Sequence, residues 1–400
     1  MTSETAANND SPFPSNRQKP RAGLVLTGGG ARAAYQVGVL RMLGRRFPHF
    51  APPILTGVSA GAINAAFLAA KPGDFETRSA ALQSLWSRLT PEQVYRIGTL
   101  DLARNVLQTG LKLVSGGLVR TRRRYALVDT SPLRELLQRE LGSTDGRLPG
   151  IEQNIAAERL RSVAITASNY TTGQSITFIQ GHGADVWESG HRRTTPCSLR
   201  VEHVMASASL PLLFPAVKVE QHWYGDGGIR LTAPLSPAVH LGARAILAIS
   251  TRYNRTPTEA REPVVQDYPP IAQMAGVLLN AIFLDLFDAD AITLERMNRL
   301  VAMLPPDERG SLHTVDLLIL RPSRDLGKMA NEYEARLPRA LRFMTRGLGT
   351  RETRSNDLLS LIMFQQDYLQ RLIELGEHDA EQRFDEVESF LERTGTHPER

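Results

Sequence analysis

Residues 22–46 read AGLVLTGGGARAAYQVGVLRMLGRR and contain the pattern that decides the fold class. Residues 23–26 form a short apolar run directly before three glycines, which predicts a buried strand that ends in a tight turn. Beyond the turn, Val37, Leu40 and Leu43 recur at helical spacing and share one face. Strand, turn and helix in this order form the first half of a parallel α/β unit.

Residues 52–70, PPILTGVSAGAINAAFLAA, repeat this plan. A strand ends near Thr56, a tight turn follows, and a helix of small residues is predicted over residues 60–70. Two successive units predict a sheet of mainly parallel strands, and the helical patterns of residues 75–142 indicate a helical insertion beside it. Further strands are expected within residues 161–181, 216–228, 243–251 and 315–323, a surface loop over 252–270, and helices over 271–303, 356–375 and 378–392.

One α/β domain with helical additions is the simplest organisation of the 400 residues. Residues 1–20 are polar and rich in Ser, Asn and Pro, so we expect a disordered tail. We assign residues 21–250 to the main domain. Residues 251–400 are then a C-terminal continuation of the α/β domain with a helical extension.

The composition narrows the classes of protein and of partner. No segment approaches the roughly 20 apolar residues of a membrane-spanning helix, and the N-terminus lacks the apolar core of a secretion signal. Cys197 is the only cysteine, so neither an intrachain disulfide nor a multi-cysteine metal site is expected, and a cytoplasmic location fits best.

The net charge is +5, and residues 120–124 read RTRRR. This run is either a solvated face or a phosphate-binding patch; without interleaved aromatic residues, no nucleic-acid partner is expected.

Ser59 stands in the turn after the second predicted strand, with Gly57 and Gly61 on either side. A serine on a sharp turn between a strand and a helix is exposed above the sheet, and flanking glycines let the backbone turn without a clash. The alternative is a small-residue turn that permits close helix packing, and the motif alone does not separate the two. A Ser-His-acid triad is disfavoured, since His240 and His313 lie in no obvious loop motif.

Gly28, Gly29 and Gly30 allow two interpretations. The sequence GGGARA fits a dinucleotide-binding fingerprint, but that site needs an acidic residue at the end of the next strand, where ILTGVSAG has none. The other interpretation is an oxyanion hole, in which consecutive glycines turn their N–H groups outward at a helix N-terminus. It requires a nucleophile on a neighbouring strand end, which is where Ser59 is predicted.

Asp226 is the candidate base, in the sequence YGDGG at the end of a later predicted strand. Between glycines, a carboxylate can approach another backbone closely. Taken alone, an ordinary Asp-Gly turn is the simpler interpretation of this stretch.

Taken together and in this order, the three motifs resemble the patatin-like phospholipase family. They are Gly-Gly-Gly-x-Arg after the first strand, Gly-x-Ser-x-Gly after the second, and Asp-Gly-Gly much later. Residues 207–217, SASLPLLFPAV, are similar to the proline-containing segment that precedes the Asp-Gly-Gly strand in that family. Ala33 departs from the pattern, because bacterial members usually have glycine there; alanine is accepted if its φ is helical.

The resemblance implies a three-layer α/β fold with a mainly parallel central sheet, in which residues 21–250 form the catalytic domain. It implies hydrolysis of lipid acyl esters, with Ser59 as nucleophile and Asp226 as its base, without histidine, metal or cofactor. The implied supporting residues are Gly28, Gly29 and Gly30 as oxyanion donors, Arg32 beside that loop or the oxyanion, Gly57 and Gly61 in the nucleophile turn, and Gly227 and Gly228 in the turn of the acid.

This scheme makes two physical demands. Asp226 must lie within hydrogen-bond reach of Ser59, and burial must raise the pKa of its carboxyl above the usual value of about 3.9. The lipid must also be reached at a membrane or micelle surface, so residues 102–118 and the RTRRR run are candidates for a lid or a surface-docking element. Peripheral membrane contact is therefore expected. Acyl transfer to an alcohol or thiol, and a non-catalytic lipid-binding protein, stay open as alternatives, and no oligomeric state is predicted.

Overall fold

The computed structural model describes residues 21–96, 127–183, 187–211, 213–265, 268–347, 349–350 and 355–394. The disordered tail predicted for residues 1–20 and the lid or docking element predicted for residues 102–124 lie outside these ranges. In the described part of the chain, no helix combines the length and the apolar character needed to cross a membrane.

The centre of the fold is a mixed sheet of ten strands within the described residues. The strands are β1 (Ala22–Leu26), β2 (Ile54–Val58), β3 (Ser162–Asn169), β4 (Ser175–Gly181), β5 (Glu188–Ser189), β6 (Arg192–Pro196), β7 (Val217–Val219), β8 (His222–Asp226), β9 (Ala245–Ile249) and β10 (Asp316–Leu320). Their order is β10-β9-β1-β2-β3-β4-β6-β5, while β8 pairs with β3 and β7 with β8. The run from β10 to β3 is parallel throughout, which confirms the predicted sheet type.

Helices cover both faces of this sheet. They are α1 (Ala34–Arg46), α2 (Ala60–Ala70), α3 (Phe75–Ser87), α4 (Pro91–Val94), α5 (Ser131–Glu140), α6 (Pro149–Ala156), α7 (Val201–Ser207), α8 (Ser236–His240), α9 (Ile271–Asn280), α10 (Leu286–Met303), α11 (Leu326–Asn331), α12 (Arg339–Gly347), α13 (Asp357–Ile362), α14 (Gln366–Gln382) and α15 (Phe384–Arg393). A π-helical segment, Ala281–Asp285, joins α9 to α10.

The core is divided by the sheet because successive side chains of a strand point to opposite faces. In β1, Leu24 and Leu26 belong to a large cluster that also contains side chains of α1, α2 and α14. Val25 belongs to a second cluster, with side chains of α8 and α10 such as Phe287. Helix, sheet and helix therefore form three layers, as predicted.

Two predicted segments differ from the structure. The helices expected over residues 356–375 and 378–392 are wrong in their boundaries, since this region forms α13, α14 and α15 with breaks at residues 363–365 and at Arg383. Apolar residues continue across the first break, so helical periodicity does not mark it. Tyr95 Oη donates a hydrogen bond of 2.9 Å to the carbonyl of Ile362, the last residue of α13, and so stabilises the end of this helix. The strand expected within residues 216–228 is a hairpin of β7 and β8, whose turn holds Glu220 at φ 51°.

Candidate active site

Strand pairing brings Ser59 and Asp226 together. On β3, β4 occupies one edge over residues 162–168, so β2 and β8 must share the other edge. The parallel β2 pairs there up to Thr166, and the antiparallel β8 continues from Ala167. The two strands thus end facing each other along one edge. Ser59 follows the last residue of β2, and Asp226 is the last residue of β8.

Ser59 is held in a strained backbone conformation. Its φ of 56° and ψ of −129° lie in a region that non-glycine residues rarely occupy, which costs on the order of 1–3 kcal/mol. The turn is tight enough that a Cβ at Gly57 would stand 2.5 Å from the Gly61 carbonyl oxygen, and a Cβ at Gly61 would stand 2.3 Å from that of Leu26. Close backbone approach therefore requires glycine at both flanking positions.

The side chains of Ser59 and Asp226 are in direct contact. Ser59 Oγ donates a hydrogen bond of 2.5 Å to Asp226 Oδ2, although 167 residues separate them. Asp226 is fully buried and Ser59 is 4% exposed. Burial raises the pKa of Asp226 to about 7, against the opposing effect of hydrogen bonds from Ser59 and from the Gly228 amide. The carboxyl group can therefore accept a proton near neutral pH.

The turn of the acid is also tightly packed. The Gly228 amide donates to Asp226 Oδ1 at 2.9 Å, so both carboxylate oxygens have donors. A Cβ at Gly227 would stand 2.0 Å from the carbonyl oxygen of Thr166 on β3. Ser168 Oγ donates to the Asp226 carbonyl at 2.8 Å and fixes the end of β8. These contacts hold the carboxylate against Ser59.

The glycine turn after β1 lies beside the nucleophile. A Cβ at Gly28 would stand 3.0 Å from Ser59 Cβ. Gly29 and Gly30 have φ values of 148° and 54°, and a Cβ at Gly30 would stand 2.2 Å from the Leu361 carbonyl oxygen. In the described part of the chain, no acceptor receives a hydrogen bond from the backbone N–H of Gly28, Gly29 or Gly30. The glycine turn thus places three backbone N–H groups, which have no acceptor among the described residues, close to Ser59.

Arg32 connects the glycine turn to the C-terminal region. Its Nε donates to Ser360 Oγ at 2.7 Å, and its Nη2 donates to Asp357 Oδ1 at 2.6 Å, both on α13. The ion pair is enclosed, with side-chain exposures of 4% and 14%. Ala33 has a helical φ of −65°, so the turn accommodates alanine without strain.

Two other buried side chains, one after strand β9 and one on helix α1, hold the same turn. Thr251 Oγ1, just after β9, donates to the Gly28 carbonyl at 2.7 Å. Gln36 Nε2 on α1 donates to the Thr27 carbonyl at 2.8 Å. With these carbonyls bound from behind, the peptide groups of the turn are fixed in direction.

A narrow apolar cavity opens at Ser59. The described residues leave a volume of about 50 Å³, and apart from Gly30 and Ser59 its wall is made of apolar side chains. Helices α3 and α5 supply Leu85, Trp86, Leu133 and Leu137, and the C-terminal region supplies Leu361 and Phe364. This lining suits a hydrocarbon chain.

Several residues of the site belong to no sequence motif. Ser207, at the end of α7, accepts a hydrogen bond from the Ser59 amide at 3.0 Å and donates to the Thr166 carbonyl at 2.6 Å. The segment beginning at Ser207 was noticed for its prolines, but the sequence gives no signal for this contact. Thr251, Asp357 and Ser360 lie in stretches typical of an ordinary strand end and helix start.

The two late histidines lie away from this arrangement. The ring of His240 stacks on Trp187 at 4.6 Å between centroids, and half-buried His313 contacts the Ser311 carbonyl. Neither is hydrogen-bonded to Ser59 or Asp226. The described residues contain no group of three or more His, Cys, Asp or Glu side chains that could hold a metal ion.

Comparison with known proteins gave one family and several structures. A family model described as patatin-like phospholipase matches residues 24–239. The search of curated proteins found no match. Matched structures include human GIVD cytosolic phospholipase A2, with 11% identity, 95% of this chain and 61% of that chain covered, and a TM-score of 0.46. VipD from Legionella pneumophila has 14% identity, coverage of 89% and 67%, and a TM-score of 0.32. This chain thus spans 61% of the length of the human enzyme.

Proposed function

The chain belongs to the patatin-like phospholipase family, and on this premise we propose that it hydrolyses acyl esters of lipids with Ser59 as nucleophile and Asp226 as general base. The observation that carries the proposal is the hydrogen bond of 2.5 Å from Ser59 Oγ to Asp226 Oδ2. A serine hydroxyl is a weak nucleophile until a positioned base accepts its proton. Asp226 is the base in contact with it.

The raised pKa of Asp226 matches this task. A general base works best when its pKa lies near the operating pH, since it is then largely ionised and still takes up a proton readily. Burial brings the pKa of Asp226 to about 7. An exposed aspartate, with a pKa of about 3.9, would accept the serine proton far less readily.

The reaction proceeds in two halves. Ser59 Oγ bonds to the ester carbonyl carbon as its proton passes to Asp226, and the resulting oxyanion accepts hydrogen bonds from the amides of Gly28, Gly29 and Gly30. The oxyanion collapses, and the alcohol leaves with the proton from Asp226. Water then gives a proton to Asp226 and attacks the acyl-serine to form a second oxyanion. This oxyanion collapses, the bond from the acyl carbon to Ser59 Oγ breaks, the fatty acid leaves, and Asp226 returns the proton to Ser59 Oγ. Each amide donor contributes on the order of 3 kcal/mol.

The apolar cavity supports a hydrocarbon acyl group as the substrate portion bound at Ser59. Its volume of about 50 Å³ is well below the roughly 300–1,000 Å³ of ordinary ligand pockets. The lining side chains must therefore move apart when a chain enters. We propose that Leu85, Trp86 and Phe364 contact the acyl chain, while Arg32 supports the glycine turn through α13.

The test measures release of fatty acid from a series of p-nitrophenyl esters and from phospholipid vesicles. Wild-type protein should release fatty acid and react with a fluorophosphonate probe, and Ser59→Ala should do neither. Thermal unfolding of both proteins serves as the control for folding. If the wild type binds the vesicles but neither turns over nor reacts with the probe, the chain is a lipid-binding protein rather than an enzyme.

A further inference from the structure

Large apolar side chains are exposed mainly in one segment. Of the thirteen that are exposed among the described residues, ten lie between Tyr268 and Leu312. Five of them belong to α9 and the residues just before it: Tyr268, Ile271, Met274, Val277 and Leu278, with exposures of 84%, 58%, 45%, 57% and 61%. We refer to these five residues as the α9 face.

The α9 helix differs from an ordinary surface helix because its outward side, rather than its inward side, carries the large apolar residues. Ile271, Met274 and Leu278 follow the i, i+3, i+7 spacing and form one outward stripe, while the inward positions Ala272 and Gly276 are small and buried. The helix sequence IAQMAGVLLN contains no charged residue. A water-facing helix normally directs charged and polar residues outward. The outward stripe is therefore suited to apolar surroundings.

The α9 helix lies near both turns of the candidate site, through its inward side and through the segment that follows it. Gly276 packs against Asp357 on α13, the helix that binds Arg32 and approaches Gly30 through Leu361. The π-helical segment that follows α9 contacts Gly227–Ile229, directly after Asp226. A surface that bound α9 would lie next to the site.

The charges near α9 are consistent with a lipid surface. Asp285 and Asp288 bind Arg252 at 2.5 and 2.8 Å, and the Asp290 carboxylate accepts a hydrogen bond from the Leu235 amide. The carboxylates that follow α9 are thus held in protein contacts. On α10, by contrast, the exposed apolar residues alternate with exposed Glu295, Arg296 and Arg299.

We propose that the α9 face inserts into the boundary between head groups and acyl chains of a lipid bilayer and thereby places the site at its substrate. The inference rests on the proposed function, because a lipid substrate gives the apolar stripe its partner. Uncharged apolar side chains bind this boundary through the hydrophobic effect rather than through anionic head groups. Binding should therefore occur on neutral lipid and survive high salt.

The experiment is vesicle sedimentation with the full chain, using phosphatidylcholine alone and phosphatidylcholine mixed with phosphatidylglycerol. The double variant Ile271→Asp, Leu278→Asp should bind both kinds of vesicle about tenfold or more weakly than wild type. The matched control is Leu300→Asp, Met303→Asp, which alters residues on α10 that are as exposed or more so, at 58% and 78%, and should bind as wild type does. Both double variants should hydrolyse a water-soluble short-chain p-nitrophenyl ester at the wild-type rate.

The outcomes separate this inference from the proposed function. Ser59→Ala should keep vesicle binding while losing ester hydrolysis. The vesicle-binding result can therefore be interpreted even if the proposed catalysis fails. Equal binding by the α9 variant and wild type, or no binding by wild type, overturns the inference. A wild-type dimer in light scattering that becomes monomeric in the α9 variant would also overturn it, because a second copy would then cover the face.

Discussion

The candidate site has two sides, which are held in place by different means. One side is the pair Ser59 and Asp226, and the other is the glycine turn Gly28–Gly30. Ser59 and Asp226 stand at facing strand ends, so the hydrogen bonds of the sheet fix their separation. The glycine turn is fixed by side chains instead, including the contact of Arg32 with Asp357, 325 residues away. The first arrangement lies within the residues that the family model matches, and the second extends beyond them. The same reaction would thus depend on two separately stabilised parts.

The largest effect is expected from variants of Ser59 and Asp226, the side of the site that strand pairing holds in place. Asp226→Asn and Ser59→Ala should each lower kcat for ester hydrolysis by about 10⁴, because neither variant can transfer the serine proton. The double variant should be no slower than either single variant, since the two residues act as a unit. Initial rates on a short-chain ester measure all three. Additive losses in the double variant would contradict a shared proton transfer.

The next prediction uses pH to test the side that contains Ser59 and Asp226, because burial raises the pKa of Asp226 to about 7. Asp226 must be ionised to accept a proton, and its pKa is about 7. The value of kcat/KM should therefore fall about tenfold per pH unit below the pKa and be constant above it. Fatty acid release followed by titration at fixed pH measures this profile. A profile that is flat down to the ordinary aspartate range would remove Asp226 from the role of base.

The same carboxyl group links pH to stability. Its pKa in the folded protein lies above the unfolded value of about 3.9, so the folded state binds more protons between the two values. This stabilising contribution is complete below the unfolded pKa and is lost as the pH rises through about 7. Asp226→Asn should therefore gain stability relative to wild type toward pH 7, as measured by urea unfolding. No change in this difference with pH would argue against a raised pKa.

The contrast between the two sides also explains what the sequence could predict. Ser59 and Asp226 stand at predicted strand ends in glycine-rich turns, and these local patterns predict the parallel sheet. The candidate dyad is implied only by the family resemblance that the three motifs carry together. The partners of Arg32 depend on packing between distant segments, which no local pattern encodes. The sequence DLLSLI of α13 resembles an ordinary helix start, so it does not indicate that Asp357 and Ser360 hold the glycine turn. Likewise, nothing in the apolar run around Met363 marks the break between α13 and α14.

A smaller effect is expected on the side held by side chains. Asp357→Asn leaves the buried Arg32 guanidinium without its counter-charge, which should lower the free energy of unfolding by up to about 3–5 kcal/mol. The glycine turn then loses its fixed position, so kcat should fall about tenfold. KM should change little, because the acyl cavity is intact. Urea unfolding and steady-state kinetics, at a temperature where the variant is folded, measure these quantities.

The control for that variant is Glu381→Gln, which removes an ion pair with Arg46 between α1 and α14. This pair joins the same two ends of the chain but is exposed, and exposed pairs contribute little to stability. Neither stability nor kcat should change appreciably. If Asp357→Asn lowers stability but leaves kcat at the wild-type value, Arg32 has only a structural role.

The smallest effect concerns the side chain that fixes the nucleophile turn itself. Ser207→Ala removes the acceptor of the Ser59 amide and leaves two buried groups unpaired, at a cost of about 1–3 kcal/mol. The strained turn should then relax, and kcat should fall by a factor of about five. Ser209→Ala is the matched control, because the Ser209 hydroxyl is equally buried but binds only the Met205 carbonyl. Only the first variant should slow catalysis; equal kcat values would mean that strand pairing and the flanking glycines suffice to hold Ser59.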